Sequence, residues 1–177
     1  MSPFAIGEQD GSIDIHKFPN SVGSTTLPLG EIKDVQPVSV PVRSIDSLVA
    51  SGDYPLPDFI KMDIQGGELA ALRGAANTLA NVQFILLETW LQRGYGKTTP
   101  LLHELMEFLV PHGFLPYEFT DVYRGERGES IAIDVDQQQL RRAEPLGIFL
   151  QALGYKIPLA SMSDHVPVSC SELVLGI

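Results

Sequence analysis

Cysteine is almost absent from this chain of 177 residues, in which Cys170 stands alone. A lone thiol excludes an internal disulfide, and no zinc-type spacing surrounds it, so the chain is not a disulfide or zinc scaffold and a reducing setting suits it. Basic residues are few as well: 12 Lys and Arg face 22 Asp and Glu, a formal charge of −10. A field of that sign repels phosphate backbones and anionic headgroups, so neither nucleic acid nor a membrane surface is an expected partner. No run reaches the ~18 consecutive apolar residues of a membrane span. The opening Met1-Ser2-Pro3-Phe4-Ala5-Ile6 lacks the basic start and apolar stretch of a leader, so a cytoplasmic location is expected. The G-x-S-x-G elbow, the Walker loop, H-E-x-x-H and G-x-G-x-x-G are all missing, which leaves hydrolase, nucleotide-triphosphatase and zinc-protease readings without support.

What is present suits one ordinary core, since 44% of the residues are hydrophobic. Residues 4–6 and 12–18 read as two strands across the turn at Asp10-Gly11. Residues 19–37, rich in Pro, Gly, Ser and Thr, read as a loop able to fold over a site. Val38, Val40 and Val42 alternate with Ser39 and Pro41 as an edge strand, because proline cannot donate to a ladder. Ser44 caps a helix over 45–51 that Gly52 ends. Residues 59–64 read as a buried strand, residues 68–79 as a helix with Leu69, Leu72, Ala76 and Leu79 on one face, and residues 82–88 as a second buried strand. Thr99-Pro100 opens a further helix that Pro111 and Gly113 stop. Residues 114–119 and 130–135 form a last pair of strands. This order predicts a mostly parallel α/β sheet ending in an antiparallel hairpin over residues 1–136, followed by an extension, 137–177, with one helix near 146–153.

Chemistry is concentrated where polar groups follow the two buried strands. Asp63 lies at the end of the first, and a carboxylate there needs a partner, whether a salt bridge, a helix cap or a ligand. Glu68 enters the next helix, where the dipole alone accounts for an acid. Glu88 ends the second strand. Ligands of open α/β sheets bind at such strand ends, so Asp63, Glu68 and Glu88 are candidates for general base work, for orienting an amino or hydroxyl group, or for a divalent cation. Trp90, two residues on, lines a substrate pocket or packs in the core. His16, His103 and His112 show no ligand spacing, and no metal site is assigned to them.

Ser44-Ile45-Asp46-Ser47-Leu48, Ile60-Lys61-Met62-Asp63-Ile64-Gln65-Gly66-Gly67-Glu68, Leu72-Arg73-Gly74-Ala75 and Ile85-Leu86-Leu87-Glu88 together resemble the FkbM methyltransferase family in order and spacing. Gln65 stands where many members carry glutamate, and Gly67 where alanine is common. The resemblance covers residues 3–135 and implies a class I, Rossmann-like fold that moves a methyl group from S-adenosylmethionine to an oxygen of a sugar or secondary metabolite. It also implies roles. Asp63 and Glu88 would be catalytic; Glu8, Asp10, Gly11, Asp63 and Gln65 would bind the cofactor; Glu68, Glu88 and Trp90 would contact the small-molecule acceptor.

Family members begin with a strand and an acidic-glycine loop that cradles the methionine end of the cofactor, then a second strand whose acidic residue holds the ribose hydroxyls; the segment matched here starts after both, so the resemblance implies that these cofactor contacts are missing from the isolated chain. The expectation is therefore a domain truncated at its N-terminus, whose strand over 59–64 has an open edge inviting self-association or a partner chain. A non-enzymatic assembly module built on such a sheet is the alternative to a methyltransferase, and a metal-dependent enzyme without adenosylmethionine is a third reading.

Overall fold

The structure is a computed structural model that describes residues 4–16, 37–93, 97–125, 130–139 and 172–176. Most of the loop expected over 19–37, the helix expected near 146–153, Cys170 and His165 lie outside the described residues.

Among the described residues, two sheets and three α-helices make a mixed α/β fold. The small sheet holds β1 (Ala5–Ile6), β2 (Gly11–His16) and β3 (Pro37–Arg43) in the order β1-β3-β2. The first two strands do not pair with each other, as a turn between them led us to expect. β3 runs between them, parallel to β1 and antiparallel to β2. β3 is accordingly a central strand despite Pro41. The two-residue β1 reaches only Val42 and Arg43, so alongside Pro41 only β2 is paired and a missing N–H leaves no gap in a ladder.

Helix α1 (Ile45–Ala50) follows directly. Ser44 caps it, with the Ser47 N–H donating to Ser44 Oγ at 3.1 Å, and Gly52 leaves it at φ 76°. The chain then enters the large sheet, whose strands are β4 (Phe59–Asp63), β5 (Phe84–Trp90), β6 (Phe114–Arg124), β7 (Ser130–Gln139) and β8 (Glu172–Gly176), in the order β6-β7-β5-β4-β8. β4 lies parallel to both β5 and β8, while β7 is antiparallel to β5 and β6. Four strands therefore run one way and β7 runs against them, with β6 and β7 forming the expected hairpin.

Helix α2 (Glu68–Arg73) joins β4 to β5, and α3 (Leu102–Leu109) joins β5 to β6. Ile60 and Met62 of β4, Ile85 and Leu87 of β5, Leu72 of α2 and Leu105 and Leu109 of α3 share one core with Ile45 and Phe114. Each is essentially fully buried, a contribution of about 1.5–3 kcal/mol for such a side chain. Two helix ends differ from expectation. α2 stops at Arg73 rather than Leu79, with Gly74 as its C-cap, and Gly74 packs so tightly on the Glu8 turn that a Cβ would collide with the Gly7 carbonyl oxygen. α3 starts at Leu102, two residues beyond Pro100; the Glu104 side chain accepts the Leu101 N–H at 2.8 Å, and Arg93 holds the same carboxylate at 2.8 and 3.1 Å.

The open edge expected on β4 is filled. β8 pairs with it along five residues, Phe59 with Glu172 through Asp63 with Gly176. The outer strands of the described sheet are β6 and β8.

Candidate active site

β4, β5 and β8 run parallel, so their carboxyl ends share one rim of the sheet. β5 connects to β4 on one side and β8 arrives on the other, and it is outside such a change of direction that open α/β sheets form a ligand crevice. Asp63 ends β4 at this rim, with Gly176 of β8 in register beside it. Glu88 lies on β5 at the position following the Met62–Leu87 pair.

The turn after β4 brings these groups together. Gln65 has φ 52° and Gly66 φ 98°, two successive left-handed residues that reverse the chain before α2. Gly66 takes that conformation freely, whereas a non-glycine residue held there carries strain. The reversal swings the Gln65 side chain back over the sheet. Its Nε2 donates to Asp63 Oδ1 at 2.7 Å and to Glu88 Oε2 at 2.8 Å. One amide thus spans two carboxylates from neighbouring strands, all three side chains being half-buried.

Glu68 belongs to the same turn but faces inward. It is 1% exposed, and its Oε1 accepts the N–H groups of Ile64 and Gly66, each at 3.2 Å. Burial pushes its carboxyl up to about 6, against the pull of those backbone donors, and the charge on Asp63 adds a little in the same direction. Trp90 lies two residues beyond Glu88, hence on the same face of β5, and forms an isolated bridge with Leu101.

Glu8, Asp10 and Gly11 are not brought to this rim. Their turn packs on Gly74, at the opposite end of α2 from Glu68. Asp10 Oδ1 accepts the Ser47 hydroxyl at 2.6 Å and the Ser44 N–H at 2.8 Å, and Oδ2 accepts Arg43 Nε at 3.0 Å. The Ser47 hydroxyl first, then the Ser44 amide, hold this carboxyl below its ordinary range. Glu8 reaches Arg73 at 3.8 Å on the surface, and Gly11 opens β2 opposite Val42. Among the described residues no group of three or more His, Cys, Asp and Glu side chains is placed to hold a metal ion, and no helix is long and apolar enough to cross a membrane.

Sequence reading found Asp63 and Glu88 but not Gly176 beside them. The apolar run Leu173-Val174-Leu175 was the available signal, short enough for a buried strand.

Asp63 at the end of β4 and Glu88 two residues before the end of β5, with a helix following each strand, place the candidate site where ligands of open α/β domains bind. The chain belongs to the FkbM methyltransferase family: the Methyltransferase FkbM domain matches residues 1–116. It is similar to the hexuronic acid methyltransferase AglP of Haloferax volcanii, 33% identical over 104 residues, covering 58% of this chain and 42% of that protein. It is also similar to the 2-O-methyltransferase NoeI of Sinorhizobium fredii, 30% identical over 111 residues, covering 55% of this chain and 46% of that protein. The chain thus spans less than half the length of these curated relatives. No solved structure matches it significantly.

Proposed function

We propose that this chain is an S-adenosylmethionine-dependent O-methyltransferase of class I, Rossmann-like type whose acceptor is a hydroxyl group on a sugar or sugar-bearing metabolite. The observation that carries this reading is the pairing of Asp63 and Glu88 through the Gln65 amide at the carboxyl ends of two parallel strands, in a member of the FkbM family. The names of the two relatives, one for a hexuronic acid and one for 2-O transfer, support an oxygen acceptor on a sugar.

The residues at the rim suit the donor's cationic end. Carboxylates are acceptor-only groups when ionised, and two of them attract a sulfonium and an ammonium. When bound, that donor supplies an electrophilic methyl group. The chain's own part is alignment and proton handling: Asp63, oriented by the Gln65 amide, would hold the donor's end of the crevice, and the Glu88 or Asp63 carboxylate would accept the hydrogen bond and then the proton of the acceptor hydroxyl. Trp90 offers an aromatic face to a sugar ring beside Glu88. Glu68, buried under the turn, keeps that turn in shape and does not touch the acceptor, and the Glu8-to-Gly11 turn braces α1 and α2. Two carboxylates at the site and a charge of −10 on the chain disfavour an anionic acceptor, so a neutral sugar is the better substrate here.

The test is transfer of labelled methyl from S-adenosylmethionine to a panel of neutral hexoses and hexuronic acids. Transfer to a neutral sugar is expected, falling about a hundredfold in Asp63→Asn and in Glu88→Gln. Folded protein that labels no sugar, or an Asp63→Asn variant with full activity, would contradict the assignment.

A further inference from the structure

Gln65 occupies a conformation that glycine would adopt more cheaply, at φ 52°, and from it one nitrogen contacts a carboxylate of β4 and a carboxylate of β5. Both amide N–H bonds are directed at carboxylate oxygens, which is the strong, charge-assisted kind of hydrogen bond. A cation bridging Asp63 and Glu88 would need that same place, with oxygens at about 2.0–2.6 Å, and could enter only by displacing the amide. The third carboxylate of the turn cannot assist it. Glu68 is turned under the chain and holds the Ile64 and Gly66 amides.

We propose that Gln65 is a positioning residue: its amide stands where a bridging metal ion would stand, fixing Asp63 and Glu88 as a metal-free pair of acceptors for an organic ligand. This rests on the methyl-transfer reading for the identity of that ligand, but not for the geometry. The consequence is specific. A neutral donor at position 65 keeps divalent cations out, and a carboxylate at position 65 replaces two donated hydrogen bonds with a third oxygen ligand set suited to magnesium, calcium or manganese.

The experiment titrates manganese against the whole chain, following melting temperature and the manganese electron-spin signal, for the parent, Gln65→Glu, Gln65→Glu with Asp63→Asn, and Gln65→Gly. The expected result is no manganese binding by the parent, binding by Gln65→Glu with a rise of several degrees in melting temperature, and loss of that binding when Asp63→Asn is added. Gln65→Gly relieves the left-handed strain but gives up both hydrogen bonds, so circular dichroism and a melting curve first establish that it is folded. It is nevertheless expected to bind S-adenosylhomocysteine about tenfold more weakly, because both charge-assisted bonds are gone. Manganese binding by the parent, lost in Asp63→Asn, would overturn the proposal, and so would Gln65→Glu that binds no manganese, or Gln65→Gly with parental affinity for S-adenosylhomocysteine. If the parent binds no S-adenosylhomocysteine, the methyl-transfer reading fails while the manganese results still decide the role of Gln65.

Discussion

Glu68 carries a carboxyl group into a nearly sealed position under the turn that follows β4, where burial raises its proton affinity to about pH 6. The unfolded chain releases the same proton near 4.5. Between those values the folded state binds more protons, so stability is greatest below about 4.5 and declines as pH rises through 6. The full effect by pH 7 is about 2 kcal/mol, at 1.36 kcal/mol per unit. Glu68→Gln keeps an oxygen to accept the Ile64 and Gly66 N–H groups and removes the titration. Urea midpoints measured from pH 4 to 7.5 should show this decline in the parent and not in Glu68→Gln; parallel curves for the two proteins would contradict it.

Asp63 and Glu88 were legible because each is an acid closing a short apolar run. Glu68 was not legible in the same way, since an acid at a helix start reads as an exposed partner of the dipole. Its two backbone donors converge only after Gln65 and Gly66 have both turned left-handed. Nor does sequence show that the Gln65 amide would reach two strands at once.

Periodicity located β4, β5 and both crossover helices because each buries an apolar side; the β6–β7 hairpin was found from its apolar residues and the polar turn between them, although most of β6 beyond Phe114 is exposed. Periodicity failed where a distant contact decided the outcome. α2 ends early at Gly74, which has no room for a Cβ beside the Gly7 carbonyl, more than sixty positions away in the chain. β3 is central because β1 and β2, separated by a turn, take opposite sides of it. β8 completes β4 from the far end of the chain, and five residues with no sequence neighbour to pair with carry little local signal.

The β8 contact has a measurable consequence. Adjacent residues of a strand donate to opposite sides, so replacing Leu173 and Val174 together by proline must remove at least one N–H that pairs with β4. The apolar edge of β4 is then open, and the variant should associate in a concentration-dependent way in light scattering, more than the parent does. Equal scattering from the two proteins would show that β8 does not protect that edge.

At the scale of the molecule, four strands point one way and deliver their carboxyl ends, with Asp63, Glu88 and the backbone of Gly176, to a single rim. The small sheet and the Glu8-to-Gly11 turn brace the other end of α2 through Gly74 and bind α1 through Asp10. The proposed donor and acceptor contacts thereby lie at one end of the sheet, and the contacts that brace α1 and α2 at the other. The chain spans less than half of each relative, so its binding capacity is the property on which the functional assignment turns.

Calorimetric titration with S-adenosylhomocysteine, performed on the parent and on Asp63→Asn shown by circular dichroism to be folded, addresses that property directly. Saturable binding by the parent is expected, with affinity weaker by about tenfold or more in Asp63→Asn, since a charge-assisted contact is removed. No heat from folded parent protein, or equal affinity in the two proteins, would contradict a donor site at the Asp63–Gln65–Glu88 rim.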